Sequence, residues 1–135
     1  MIYTTNKMSD KLKLSIIILA HRLDQRLKQA LVSAQFAAEV LLVNDLPADR
    51  QDQLKTWQEK YGFTLLELES KLTNFAQARQ KSLDAAKHDW VFFLDSDEYL
   101  EPTSINQIKY FIQQQHYAGA LVRRQDLFLG ATVGS

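Results

Sequence analysis

The stretch DWVFFLDSDEYLEP, from Asp89 to Pro102, joins an apolar run to a group of acids. The four large apolar residues at its centre are typical of a strand that is buried on both faces. Three acids follow at Asp95, Asp97 and Glu98, and charges this close repel one another unless a cation lies between them. Pro102 suits the start of a helix, where a backbone N–H has no intrahelical partner. The stretch therefore predicts a strand, an acidic loop with a candidate cation site, and a helix.

The rest of the chain alternates between the same two kinds of segment. Continuous apolar runs predict strands at Leu14–Ala20, Glu39–Val43, Phe63–Glu69, Asp89–Asp95 and Ala118–Arg124. Apolar residues at helical spacing predict helices at Asp24–Phe36, Asp49–Tyr61, Asn74–Lys87 and Pro102–Gln115. Such regular alternation predicts an α/β fold with three layers, α/β/α, around a mainly parallel sheet of the Rossmann-like kind. We expect a flexible lead-in at residues 1–13 and one domain at residues 14–135.

The composition narrows the class of protein. The chain has 135 residues, of which 46% are apolar and 24% charged, as in a globular domain. Its 16 basic and 16 acidic residues cancel, so we expect no nucleic-acid partner. Cysteine is absent, which excludes thiolate chemistry and fits a reducing cytoplasm. The apolar runs are strand-sized, and we therefore expect no transmembrane segment.

Polar side chains follow three of the predicted strands. His21 and Arg22 follow the first strand, Asn44 and Asp45 the second, and the Asp-Ser-Asp sequence the fourth. In a parallel sheet these ends meet at one edge, where ligands bind. Mg²⁺ and Mn²⁺ prefer oxygen ligands and take one or two from protein, with phosphates and water completing the shell. The sequence thus predicts a metal-assisted phosphate site at this edge.

Several common sites are missing. The turn AHRLDQ after the first strand lacks the glycines of a dinucleotide fingerprint, and the chain contains neither a P-loop nor a GxSxG sequence. The three histidines are too far apart in sequence to suggest a zinc site. A phosphotransfer receiver or an aspartate phosphatase is disfavoured because the third strand ends in Leu68-Glu69 and Tyr99 follows the acids.

Three segments together resemble the family 2 glycosyltransferases of the GT-A fold: LSIIILAHR, EVLLVND and FAQARQKSLDAAKHDWVFFLDSDEYLEP. The resemblance implies transfer of a sugar from a nucleotide-diphosphate donor, with a UDP-sugar favoured, and a divalent cation, Mn²⁺ or Mg²⁺. It is strongest to bacterial enzymes that build lipopolysaccharide cores and other cell-envelope polysaccharides. A glycan or lipid-linked acceptor and a cytoplasmic location, at the inner face of the membrane, are implied as well.

The resemblance also implies roles for individual residues. The implied nucleotide-binding residues are Ala20, His21, Asn44, Asp45, Arg79 and Asp95, and the implied metal ligands are Asp97 and Asp95. Asn44 and Gln80 depart from the family's usual Asp and Asn at these positions. The family's acceptor part and catalytic base are expected beyond the fifth strand, so the domain is expected to be truncated there. A partner segment or a homo-oligomer is the corresponding expectation.

Plainer interpretations stay open for the same residues. Asp95 and Asp97 could cap the following helix, and Arg79 could be an exposed helical residue paired with an acid. Asn44 and Asp45 would make a good turn without any ligand. At the level of function, the alternative is a non-catalytic module that binds a nucleotide or a partner chain.

Overall fold

The computed structural model describes residues 11–68, 75–114 and 121–123, and within them the predicted alternation of strands and helices is confirmed. The strands are β1 Leu12–Ala20, β2 Ala37–Asn44, β3 Thr64–Glu67, β4 Trp90–Asp95 and β5 Leu121–Arg123. The helices are α1 Gln25–Ser33, α2 Gln51–Tyr61, α3 Phe75–Ala85 and α4 Pro102–Gln114. One-turn 3₁₀ segments, Ala34–Phe36 and Ala48–Arg50, follow α1 and precede α2.

The boundaries differ slightly from the sequence-based ones. Strand β1 begins two residues earlier than expected, at Leu12, so the predicted lead-in overlaps it. Strand β3 is shorter than predicted. Residues 1–10 lie outside the described residues, as do Glu69, Ala118 to Ala120 and Arg124 of the predicted strands.

The five strands form one sheet in the order β3-β2-β1-β4-β5. Neighbouring strands among β1 to β4 are parallel, whereas β5 pairs antiparallel to β4. The prediction of a mainly parallel sheet is therefore confirmed. The central strand β1 has a neighbour on each side. The strand that follows β1 in the chain, β2, lies on one side of β1. After β3 the chain returns, and β4 lies on the other side of β1. The strand order thus reverses between β1 and β4.

The helices cover both faces of the sheet, which completes the three predicted layers. Side chains of β1 alternate, with Ile16 and Ile18 facing α1, α2 and α4, and Ile17 facing the side that carries α3. On the first face the buried helical residues are Leu27, Ala30, Leu31, Leu54 and Ile108. On the second face Leu83 of α3 packs against the buried cluster that contains Val91 and Phe93 of β4.

The register of the sheet brings the carboxyl ends of the strands level with one another. Ala20 is paired with Asn44 of β2, and Leu19 with Asp95 of β4. The residues that leave β1, β2 and β4 therefore emerge side by side at one edge. This alignment positions the candidate site.

Local caps fix the start of α1 at this edge of the sheet and the end of α2 at the opposite edge. Asp24 is the N-cap of α1, and its carboxylate accepts a hydrogen bond from the Leu27 N–H at 3.1 Å. Gly62 ends α2 with φ of 72°, in the left-handed region, and its N–H donates to the Gln58 carbonyl at 2.8 Å.

A buried polar cluster lies at the opposite, amino edge of the sheet. The Ser15 hydroxyl donates to the Glu39 carboxylate at 2.7 Å, and the Lys87 N–H donates to the same oxygen at 2.9 Å. The His88 N–H donates to the Ser15 hydroxyl at 3.3 Å. These contacts tie β1 and β2 to the segment that leads into β4.

None of the described helices combines the length and apolarity that a membrane crossing requires.

Candidate functional site

A cleft opens at the carboxyl edge where the strand order reverses, between the ends of β1 and β4. Its volume is about 420 Å³. It is lined by Leu19, His21, Arg22, Asp24, Arg26, Asp95, Ser96 and Asp97. Crevices at such reversal points are the usual ligand sites of open α/β sheets. The cleft is therefore the principal candidate site.

The acidic loop forms one wall of this cleft. Asp95 ends β4, and a turn follows in which the Glu98 N–H donates to the Asp95 carbonyl at 3.0 Å. The Glu98 side chain folds back beneath the turn, is only 5% exposed, and accepts a hydrogen bond from the Asp95 N–H at 3.3 Å. Asp95 and Asp97 remain exposed. The turn therefore buries the carboxyl of Glu98 as a support and leaves the carboxylates of Asp95 and Asp97 exposed.

The environment of Glu98 disfavours its charged form. Burial raises the pKa of the Glu98 carboxyl, and the nearby charges of Asp95 and Asp97 raise it further, although the hydrogen bond from the Asp95 N–H opposes this. A cation in the cleft would offset the repulsion among the acids.

The donor set of the cleft fits a hard divalent cation that keeps other ligands. Asp95 and Asp97 offer exposed carboxylate oxygens on the same loop. Within the described ranges, no group of three or more His, Cys, Asp or Glu side chains is arranged to hold a metal. Mg²⁺ and Mn²⁺ are commonly held by one or two carboxylates together with phosphate and water, so two aspartates are sufficient.

The turns after β1 and β2 are joined across the edge. His21 Nδ1 lies 3.0 Å from Asp45 Oδ2, and the Asp45 N–H donates to the Ala20 carbonyl at 3.0 Å. The His21 side chain is 47% exposed and that of Asp45 17%. His21 thus stands at the rim with one ring nitrogen held by a carboxylate. A second cleft of about 320 Å³ lies beside it, lined by His21, Arg22, Leu23, Asp24, Pro47 and Arg50.

Asn44 and Ala20 lie in the layer below the rim. The Asn44 side chain is almost buried, and its amide donates to Gln51 Oε1 at 2.8 Å and to Glu67 Oε1 at 3.0 Å. Its carbonyl oxygen accepts from the Leu46 N–H at 3.1 Å, which closes the turn after β2. Ala20 is fully buried. These contacts match the turn interpretation of Asn44.

Arg79 lies on α3, on the face opposite α1. Its guanidinium carbon is 4.5 Å from the centroid of the Phe93 ring, a cation–π contact. Phe93 is two residues before Asp95, so the contact fixes Arg79 close to the strand that carries the acidic loop.

The structure adds one cleft residue, Arg26, and gives positions to Arg22 and Glu98, which the sequence had placed near this edge without a role. Arg22 and Arg26 line the main cleft together with the acids, and Glu98 supports the loop from below. A signal existed for the arginines, because both flank Asp24 in the turn that enters α1. Nothing in the sequence indicated that Glu98 is buried whereas Asp95 and Asp97 are exposed.

Comparisons with solved structures place the fold among glycosyltransferases. S. aureus TarS has a TM-score of 0.61 at 21% identity over 76% of this chain and 20% of its own. A structure of TarS residues 1–349 in complex with UDP-GlcNAc has a TM-score of 0.62 at 22% identity, over 76% of this chain and 32% of its own. A mannosyltransferase of Pyrobaculum calidifontis, in complex with GDP-Man and Mn²⁺, has a TM-score of 0.58 at 16% identity. The match covers 77% of this chain and 33% of the mannosyltransferase chain.

Sequence comparison gives the family directly. An uncharacterized glycosyltransferase of Mycoplasma pneumoniae is 31% identical, over 78% of this chain and 38% of its own length. The chain thus spans well under half the length of this curated relative. The model of the family described as glycosyl transferase family 2 matches residues 15–132. The family resemblance found in the sequence is therefore confirmed, and the chain belongs to glycosyl transferase family 2.

Proposed function

We propose that this chain carries the donor-binding part of a metal-dependent glycosyltransferase, which transfers a sugar from a nucleotide diphosphate to an acceptor. The observation that carries the proposal is the cleft between β1 and β4, because it combines the topological reversal point with two exposed carboxylates. Family membership supplies the reaction class. A UDP-sugar is the favoured donor, by likeness to TarS, whose structure holds UDP-GlcNAc.

Each part of the cleft has a role in this proposal. Asp97, with Asp95, holds the divalent cation, and a bound cation would offset the negative charge of the diphosphate. His21 and Asp45 lie at the rim, where they contact the nucleoside, and Arg79 approaches from the α3 side. Ala20 and Asn44 support this rim from below, and Asn44 does so through its contacts with Gln51 and Glu67.

The acceptor and the setting follow from the family rather than from the cleft. We infer a glycan or lipid-linked acceptor and a role in cell-envelope polysaccharide synthesis, at the cytoplasmic face of the membrane. The absence of cysteine fits such a reducing compartment.

Titration calorimetry tests the donor site. UDP and GDP are titrated into the chain with and without Mn²⁺, and the series is repeated with Asp97→Asn. We expect one nucleotide to bind in a Mn²⁺-dependent way, and the variant to lose about 10-fold or more in affinity, since it removes one charged metal ligand.

The matched control is Asp89→Asn, which makes the same change at an exposed position near the other end of β4. It should bind like the wild type. Absence of nucleotide binding, or equal binding by wild type and Asp97→Asn, contradicts the proposed donor site. Binding without release of UDP or GDP from a sugar nucleotide would favour the alternative of a non-catalytic binding module.

A further inference from the structure

Two arginines line the main cleft together with the acidic loop. Arg22 lies in the turn after β1, and Arg26 lies four residues later in the first turn of α1. Both residues are exposed. Across the ranges that the structure describes, neither forms an ion pair, although Asp95 and Asp97 line the same cleft. The cleft therefore holds positive and negative side chains that do not neutralise one another directly.

The location of Arg26 is unfavourable for α1 by itself. The first turn of this helix contains no acidic residue, and a helix N-terminus already carries partial positive charge. Asp24 precedes the helix, but its carboxylate accepts a hydrogen bond from the Leu27 N–H as the N-cap. Arg26 therefore adds to the positive potential at this end of α1, which favours an anion near it.

A ligand that interacts with both the arginines and the aspartates must carry negative charge for the arginines and positive charge for the aspartates. Asp95 and Asp97 would hold a divalent cation, and Arg22 and Arg26 would bind negatively charged phosphate oxygens of the same ligand. The planar guanidinium group of arginine matches phosphate in shape and donates two parallel hydrogen bonds to it. The cleft volume of about 420 Å³ lies within the range of small-molecule sites.

We propose that Arg22, in the turn after β1, and Arg26, in the first turn of α1, bind the diphosphate of the nucleotide donor. This proposal rests on the proposed donor site and adds two residues to it. During transfer an acceptor hydroxyl forms the new bond to the anomeric carbon of the sugar and gives its proton to a base, while the bond between the sugar and the diphosphate breaks and the diphosphate keeps that electron pair. Both arginines are placed to stabilise the negative charge that develops on it.

The test compares ligands that share a base but differ in phosphate. Nucleoside, nucleoside monophosphate and nucleoside diphosphate, with whichever of uracil or guanine binds more tightly, are titrated with Mn²⁺ at constant ionic strength. Arg22→Gln and Arg26→Gln are each expected to lower the affinity for the diphosphate by about 10-fold, and the double variant by more. The affinity for the nucleoside should change by less than about 2-fold.

Arg50→Gln is the matched control, because Arg50 lines the second cleft and not the main cleft that contains Asp95 and Asp97. It removes the same charge nearby and should leave the diphosphate affinity within about 2-fold. Arg22→Lys and Arg26→Lys should restore part of the lost affinity, since lysine keeps the charge but not the planar pair of donors. Circular dichroism spectra should be the same for all variants.

The outcomes separate the two proposals. If the wild type binds no nucleotide, the donor site itself is wrong, and so is the role of the arginines. If the wild type binds but the double variant keeps its preference for diphosphate over nucleoside, only the arginine proposal is wrong. It is also overturned if nucleoside affinity falls equally, or if Arg50→Gln matches the other variants.

Discussion

Glu98 and Asp97 are adjacent in the chain but have different surroundings. Asp97 projects into an open cleft, whereas the Glu98 carboxyl is buried under the same turn and accepts the Asp95 N–H. Burial first, and then the charge of Asp95, raises the pKa of Glu98. A raised pKa for an acid means that folding disfavours its ionised form, so the charge of Glu98 reduces stability at neutral pH.

Replacing Glu98 by glutamine should therefore stabilise the free protein. Glu98→Gln keeps an oxygen acceptor for the Asp95 N–H and removes the buried charge. The gain should be about 1 kcal/mol, or roughly 4 °C in Tm for a chain of this size. Thermal unfolding at neutral pH in the presence of EDTA measures it.

Glu101→Gln is the control for this change, because Glu101 is exposed and lies three residues further along. Its Tm should not rise, because the charge of Glu101 is exposed and lies at the N-terminus of α4, where a negative charge is favourable. A lower Tm for Glu98→Gln, or an equal rise for Glu101→Gln, would show that burial of the charge does not control stability here.

At the scale of elements, the end of α2 depends on one backbone conformation. Gly62 has a positive φ of 72°, and a Cβ placed on it would meet no atom within 4 Å. The requirement for glycine is therefore conformational rather than steric. Its N–H closes the helix on the Gln58 carbonyl, and the chain then enters β3.

Gly62→Ala should destabilise the protein by about 1 kcal/mol, because alanine does not readily adopt a positive φ. Gly62→Asn should cost less, since asparagine tolerates this region better than other residues with side chains. Urea unfolding curves provide both values. An equal loss for the two variants would mean that something other than the backbone conformation at Gly62 is responsible.

The elements themselves could be predicted because their signals are local. Runs such as Ile16–Ile18 identify buried strands, and Gly62 identifies the end of a helix. The direction of β5 could not be predicted, because a three-residue strand carries no signal of parallel or antiparallel pairing. The contact between His21 and Asp45 depends on sheet register, which joins residues 24 positions apart. Which of the three acids would be buried depends likewise on the geometry of the folded turn.

At the scale of the whole molecule, the Glu39 carboxylate joins distant parts of the chain. One of its oxygens accepts hydrogen bonds from Ser15 of β1 and from the backbone of Lys87. Its other oxygen is buried and has no hydrogen-bond partner in the part of the chain that the structure describes. This single side chain therefore holds three segments together at the amino edge of the sheet.

Glu39→Ala should lower the free energy of unfolding by about 2–3 kcal/mol, because it leaves the buried Ser15 hydroxyl and the Lys87 N–H without their acceptor. Glu39→Gln keeps an acceptor oxygen and should lower it by less than about 1 kcal/mol. Chemical unfolding followed by tryptophan fluorescence, with Trp90 at the start of β4, measures the difference. If the two variants lose the same amount, the hydrogen bonds to Glu39 are not what stabilises this edge.

The main cleft is built from two kinds of backbone. Its floor is the paired ends of β1 and β4, where Leu19 lies opposite Asp95 in the register of a buried sheet. Its rim consists of the turns after these strands, residues 21–24 and 96–100, which take no part in the hydrogen bonding between strands. Turns of this kind accept substitutions and insertions that strands do not. During evolution, exchange of rim residues could therefore change which donors the protein accepts, while the strand ends that form the floor of the cleft stay the same.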